Sequence, residues 1–241
     1  MIVAAPQSKP DEQSNGLPEL LENGLHLGAS EFLRRYEGMP EVRKAELING
    51  LVYMASPIRF DQHAKPDSLI QTWLGTYSIA TPGVESASNS TVRLGADDVP
   101  QPDGLLRILS ECGGQARVDA KGYLQGSPEL VVEIAASSAS IDAWEKRDSY
   151  RRAGVREYLL WRTVDRAIDW WMLEEDEYRP LAADANGVFR SRVFPGLWLD
   201  AAALLAADGA KVLAKLQEGL RAAEHDAFVA ELTRQSQQDI R

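Results

Sequence analysis

Pro128-Glu129-Leu130-Val131-Val132-Glu133-Ile134-Ala135 is the stretch on which the fold turns. It is compact, mostly apolar and rich in β-branched residues, the pattern of a central strand covered on both faces. Glu133 interrupts it. A carboxylate near the end of a buried strand loses hydration and needs a partner, which makes Glu133 the first candidate for a functional residue.

Downstream, Ile141 to Ala153 reads as a helix closed by Gly154 at C′, Val155 to Trp161 as a strand, and Ala167 to Leu173 as its hairpin partner. Val188 to Leu199 holds a last short strand, and Asp200 caps an alanine- and leucine-rich tail. There Leu213, Leu216, Leu220, Ala223 and Ala227 fall at three-four spacing, predicting an amphipathic helix that could pair with another, including that of a second copy in a homodimer.

Upstream, Ala45 to Met54 places two apolar runs around Asn49-Gly50, a pair that tolerates positive φ at both turn positions, and so predicts a β-hairpin. His63 to Tyr77 carries Leu69, Ile70, Trp73 and Leu74 at helical spacing, with Pro66 allowed in the first turn. Strands are expected over Val84 to Leu94 and Asp103 to Leu109, with a weaker one over Lys121 to Leu124. A short helix over Glu31 to Tyr36 has Ser30 as its candidate N-cap. Residues 1–17 lack apolar periodicity and read as a disordered leader, so the expected organisation is a leader, one main domain over 18–200 and a helical extension over 201–241.

The composition, 44% hydrophobic and 26% charged, is that of a globular protein. No apolar run approaches the ~18 residues that span a bilayer, and the opening Met-Ile-Val-Ala-Ala stops at Pro6, too short for a signal peptide. A cytoplasmic location is expected. The single cysteine, Cys112, has no partner for an internal disulfide and no evident activating base, and is assigned no catalytic role. A net charge of −10 argues against wrapping extended duplex by phosphate neutralisation, although a small cleft can still be locally basic.

Three features carry chemistry: Gln101-Pro102-Asp103-Gly104, Glu133, and Asp142-Ala143-Trp144-Glu145-Lys146 on the following helix. Two carboxylates brought together repel, but a hard divalent cation such as Mg²⁺ is held by one or two carboxylates with water and phosphate oxygens. A nearby lysine can orient an attacking water or offset negative charge developing on phosphorus. Each residue also has a plainer reading. Pro-Asp-Gly is a good β-turn, Asp142 and Lys146 could form a surface pair of ~0.2–0.5 kcal/mol, Glu46 could merely flank the hairpin, and His63 could cap a helix or face solvent. Trp144 and Tyr150 read as core or groove lining rather than as a platform for stacked bases.

Glu46-Leu47-Ile48-Asn49-Gly50, Ser56-Pro57, Gln101-Pro102-Asp103, Glu129 to Ile134, Asp142 through Lys146 to Tyr150, and Gly154-Val155-Arg156-Glu157-Tyr158, in this order, resemble the successive signature blocks of the Uma-two family of "putative restriction endonucleases". The resemblance covers roughly residues 45–199. It implies an α/β, restriction-endonuclease-like fold of the PD-(D/E)XK kind, a mixed central sheet flanked by helices, with the N-terminal hairpin and C-terminal helical tail attached. It also implies an Mg²⁺- or Mn²⁺-dependent endonuclease acting on nucleic acid, DNA in the first instance. Asp103 and Glu133 would be the metal-binding acids, the Ile134 carbonyl a third ligand and Glu46 an auxiliary acid, with His63, Asp142 and Tyr150 supporting. Two departures stand out. The usual lysine two residues after the second acid is Ala135 here, its place taken by Lys146 on the next helix, and Arg162 replaces a common acid. The acidic balance and Ala135 motivate an alternative in which the scaffold is a catalytically inactive binding or assembly module.

Overall fold

A computed structural model describes residues 19–55, 57–135 and 141–239; the expected leader, Ser56 and the side chain of Asp142 lie outside this set. The elements are α1 (Ala29–Glu37), β1 (Ala45–Ile48), β2 (Leu51–Met54), α2 (Lys65–Ala80), β3 (Val84–Ser88), β4 (Val92–Arg93), β5 (Gly104–Ile108), β6 (Arg117–Val118), β7 (Leu124–Gln125) and β8 (Leu130–Ala135). They continue with α3 (Arg147–Ala153), β9 (Glu157–Arg162), β10 (Ala167–Glu174), β11 (Glu177–Pro180), β12 (Val188–Arg190), β13 (Trp198–Asp200), α4 (Ala201–Leu205), α5 (Gly209–Leu220) and α6 (Ala223–Asp239).

The run that opened the sequence reading is the middle of the molecule. β8 lies inside a mixed six-stranded sheet of order β11-β10-β9-β8-β5-β3, parallel to β9 and antiparallel to β5, and all six of its residues are buried. Its alternation sorts the layers. Leu130, Val132 and Ile134 join Ile70, Trp73, Leu74 and Tyr77 of α2 in the larger core, while Val131 and Ala135 join Tyr150 of α3 and Tyr158 in a second cluster on the opposite face. The sheet is thus flanked by helices on both sides, as expected. Gly104 keeps α2 close to β5, because a Cβ there would lie 2.8 Å from Leu74 Cδ1.

The β1–β2 hairpin forms at Asn49-Gly50 with φ of 52° and 75°, the doubly positive turn that this pair favours. It stands outside the main sheet and is tied to the segment before β5 by reciprocal bonds between Leu47 and Val99, with N···O distances of 3.1 and 2.7 Å. That bridge brings the hairpin beside Gln101-Pro102-Asp103.

Several expectations are corrected. The N-cap of α1 is Gly28 rather than Ser30, whose hydroxyl instead accepts from Arg93 at 3.0 Å. The strand expected over 84–94 is two strands in different sheets. In the tail, the chain turns at Arg221 and Ala222, so Ala223 and Ala227 belong to a new helix with a new phase and are exposed; α6 buries His225 and Leu232 instead. The α5 part of the stripe faces inward. Leu216 is fully buried in the main core, and Leu213 and Leu220 pack against it, so this surface is covered by the chain itself rather than by a second helix of a partner. Leu216→Ala is therefore expected to lower the unfolding free energy by about 2–5 kcal/mol in urea denaturation, a core-cavity cost. A loss below about 1 kcal/mol would return the tail to the periphery.

Candidate active site

Glu133 points to the α3 side of the sheet, since its neighbours of the same parity, Val131 and Ala135, pack there. The β5–β8 register pairs Gly104 with Val132, so Asp103, one residue beyond the ladder, comes opposite Glu133 on the same face. The two acids meet where the strands stop pairing. Both are buried, Asp103 to 2% exposure and Glu133 to 3%.

Each carboxylate is surrounded by donors. Glu133 Oε1 accepts from Tyr150 Oη at 2.6 Å and from Lys146 Nζ at 3.2 Å. Asp103 Oδ2 accepts from the Ile134 N–H at 2.9 Å and lies 3.2 Å from His63 Nε2, while Oδ1 accepts from Lys44 Nζ at 3.1 Å. Glu46 is the third acid. Its Oε1 accepts from the Gln101 N–H at 2.7 Å and pairs with Lys146 at 3.0 Å, so Lys146 links Glu46 to Glu133. Lys146, only 5% exposed, is a buried bridge between two acids and not a solvent-facing member of a surface pair.

The local backbone explains how these side chains converge. His63 lies in a π-helical turn, Phe60–Ala64, ahead of α2, and Lys146 ends another, Ile141–Lys146, ahead of α3. Such wide turns rotate side chains off the regular helical phase and recur at functional sites. Tyr150 follows Lys146 by one turn, so both reach the same carboxylate. The Ile134 carbonyl is placed by the strand pattern. Ala135 O and Glu129 O accept from β9-side N–H groups, whereas Ile134 directs its N–H to Asp103; in a parallel strand the carbonyl of a residue points the same way as its N–H, here toward Asp103.

The structure thus gathers Asp103, Glu133, Lys146, Glu46, His63, Tyr150 and the Ile134 backbone at one place. It adds Lys44 and Asn89, which the sequence reading did not single out. Asn89 has a left-handed φ of 49°, donates its N–H to the Asp103 carbonyl at 3.3 Å and accepts from Lys44 at 3.2 Å. Lys44 left one usable trace, since it stands two residues before Glu46 and strand alternation puts both on one face. Of the core or groove-lining role expected for Trp144, the core part fails: the side chain is 63% exposed, with the Arg147 guanidinium 4.5 Å from its ring centroid.

Burial and neighbours drive the two acids apart electrostatically. Burial pushes Glu133 up to about 8, with the charges of Asp103 and Glu46 adding to it and Lys146 opposing. Burial would also raise Asp103, but the His63 hydrogen bond and the Lys44 charge outweigh it and hold Asp103 well below the usual carboxylate range. His63 is raised chiefly by its bond to Asp103. Burial works against charge on Lys44, yet Asp103, Glu46 and Glu133 together raise its pKa. Tyr150 is pushed well above 10 by burial and so stays a proton donor to Glu133.

Among the described residues no three His, Cys, Asp or Glu side chains form a ready metal cage. The donor set nevertheless suits a hard divalent cation. It offers carboxylate oxygens and a carbonyl without soft ligands, and Mg²⁺ takes only one or two carboxylates, completing its shell with water and phosphate. The pair Asp103 and Glu133 fits that requirement.

The proton on Glu133 has a measurable signature. Folded protein keeps it up to about pH 8, while an exposed glutamate releases it near about 4.3, so between these values the folded state binds more protons and stability falls as pH rises. In chelator-treated protein, Glu133→Gln is expected to match wild type near about pH 5 and to gain on it steadily in urea midpoint toward about pH 8. Asp103→Asn has the opposite character and should cost about 1.5–3 kcal/mol at neutral pH through its charged hydrogen bonds. A Glu133→Gln midpoint parallel to wild type across this range would mean that Glu133 is ionised throughout.

A family model described as "Uma2: Putative restriction endonuclease" matches residues 29–202. A crystal structure titled as a "putative nuclease belonging to DUF820" from Anabaena variabilis ATCC 29413 superposes with a TM-score of 0.55 at 13% identity, covering 72% of this chain and 97% of that one. At that identity the likeness bears on the fold. No curated protein is matched.

Proposed function

Because the chain belongs to the Uma2 family, we propose that it is a divalent-metal-dependent endonuclease that hydrolyses phosphodiester bonds, with DNA as its first candidate substrate. The observation that carries this reading is the meeting of Asp103 and Glu133, buried side by side beyond the last β5–β8 pair with Lys146 on Glu133. Asp103, Glu133 and the Ile134 carbonyl would hold Mg²⁺ or Mn²⁺, which supplies Lewis acidity toward a phosphate oxygen when bound. Tyr150 and Lys146 fix the Glu133 carboxyl by hydrogen bonds, Glu46 fixes Lys146, and the Lys146 ammonium offsets negative charge that builds on the phosphate. His63 orients Asp103 through Oδ2. A fixed, water-poor arrangement of this kind needs little reorganisation as charge develops.

Location and assembly are part of the same proposal. No described helix is long and apolar enough to cross a membrane, and we assign the chain to the cytoplasm. A homodimer would have to use a surface other than the inward-facing stripe of α5.

A second reading has one observation in its favour. Ala135 stands where the superfamily lysine is expected, and Lys44 and Lys146 already balance the acids, which would suit an inactive module that keeps the scaffold. Cleavage separates the two. Purified protein should nick DNA only with Mg²⁺ or Mn²⁺, Asp103→Ala and Glu133→Ala should abolish nicking, and Lys146→Met should lower kcat by roughly 10²–10³-fold, the loss typical of one charge-stabilising donor. Nicking that persists unchanged in Asp103→Ala would assign the activity to a contaminant and leave the module.

A further inference from the structure

Lys44 has no task in the reaction outlined above, although its ammonium lies 3.1 Å from Asp103 Oδ1. It directly precedes β1 and its carbonyl accepts from the Ala55 N–H at 3.3 Å, which extends the hairpin ladder by one residue. This anchors its backbone. Its ammonium reaches two acceptors, Asp103 Oδ1 at 3.1 Å and the neutral Asn89 Oδ1 at 3.2 Å, and its side chain remains 21% exposed. The two oxygens of Asp103 are divided: Oδ2 takes the Ile134 N–H and His63, whereas Oδ1 takes the Lys44 ammonium at the end of its flexible four-carbon stem.

We propose that Lys44 is a place-holding cation. It occupies the Asp103 oxygen that a divalent ion would take and, once displaced, contacts a non-bridging phosphate oxygen of the substrate. This rests on the metal-dependent reading of the same site. An ammonium and a divalent cation cannot share one carboxylate oxygen without close repulsion, and the ammonium has a second acceptor, Asn89, to keep it nearby once displaced. The backbone supports that tether. Asn89 is held left-handed at φ 49° with its N–H on the Asp103 carbonyl, so its amide oxygen is presented at the edge of the acid pair. A lysine held on a neutral amide with partial access to solvent is placed to meet an incoming phosphate. It would also keep the site from gathering uncompensated negative charge before the ion arrives.

The test uses the full chain and Mn²⁺ alone, followed by a short DNA duplex. Calorimetric titration of wild type and Glu133→Ala first establishes uptake that depends on the acid pair. Lys44→Met should then bind Mn²⁺ about tenfold more tightly, because the competing charge is gone, yet cleave DNA roughly 10–100-fold more slowly at saturating Mn²⁺, because the phosphate contact is lost. Lys44→Arg keeps the charge and should retain Mn²⁺ affinity near that of wild type, which also guards against a folding defect in the methionine variant. Unchanged or weaker Mn²⁺ binding by Lys44→Met overturns the place-holding role, and unchanged cleavage at saturation overturns the phosphate contact. Wild type that takes up no Mn²⁺ through Glu133 would overturn the nuclease reading and this inference together, whereas normal uptake with an insensitive Lys44→Met removes the inference alone.

Discussion

A carboxylate taken out of water must find a counter-charge, a set of donors or a proton, and the end of β8 asks this of two acids at once. Asp103 and Glu133 meet it differently. Asp103 stays ionised on Lys44, His63 and a backbone N–H, while Glu133, more deeply surrounded and next to two other acids, is driven toward its neutral form on Tyr150 and Lys146. Nearly every element around the site is there to supply one of these partners. Leaving one such partner unmade would cost more than the arrangement gains from any single surface ion pair.

That demand accounts for parts of the fold that would otherwise look incidental. The small hairpin does not pair with the central sheet, yet it delivers Glu46 and Lys44 through its bridge to Val99. Two π-helical turns start two core helices, and each presents one basic side chain to the acids. Elsewhere buried acids have purely structural solutions. Glu157 accepts from the Ser191 hydroxyl, the Trp170 indole and two backbone N–H groups, and Glu129 from the N–H groups of Ile108 and Gln115. Those carboxylates fasten loops to the sheet with neutral donors. The acids at the tip of β8 are instead interleaved with basic side chains, Lys44 and His63 on Asp103 and Lys146 on Glu133.

The elements that a local pattern specifies were legible. The apolar run ending in Ile134 is the buried strand, Asn49-Gly50 is the hairpin turn, Pro66 sits in the first turn of α2, and Asp200 accepts from the Ala203 N–H as a cap. Where a feature depended on contacts between distant segments, periodicity misled. The tail stripe continued through Arg221 and Ala222 in sequence, but the chain turned there, because α6 packs His225 against Thr81 and Tyr77 and cannot do so in the phase of α5. Ser30 was a good cap by type, yet its hydroxyl bonds Arg93.

The same division runs through the site. From the residues alone came Glu133, an acid breaking an apolar strand, readable because desolvation acts on the residue itself, whereas the roles of Asp103 after its proline and of Lys146 one turn from Tyr150 came with the resemblance to the Uma2 blocks. The meeting of these groups, the burial that raises the Glu133 pKa, the exposure of Trp144 and the entry of Lys44 were decided only by tertiary structure. They follow from strand register and from a hairpin docked some fifty residues away in the chain, and electrostatic energy depends on distance through space, which spacing along the chain does not encode.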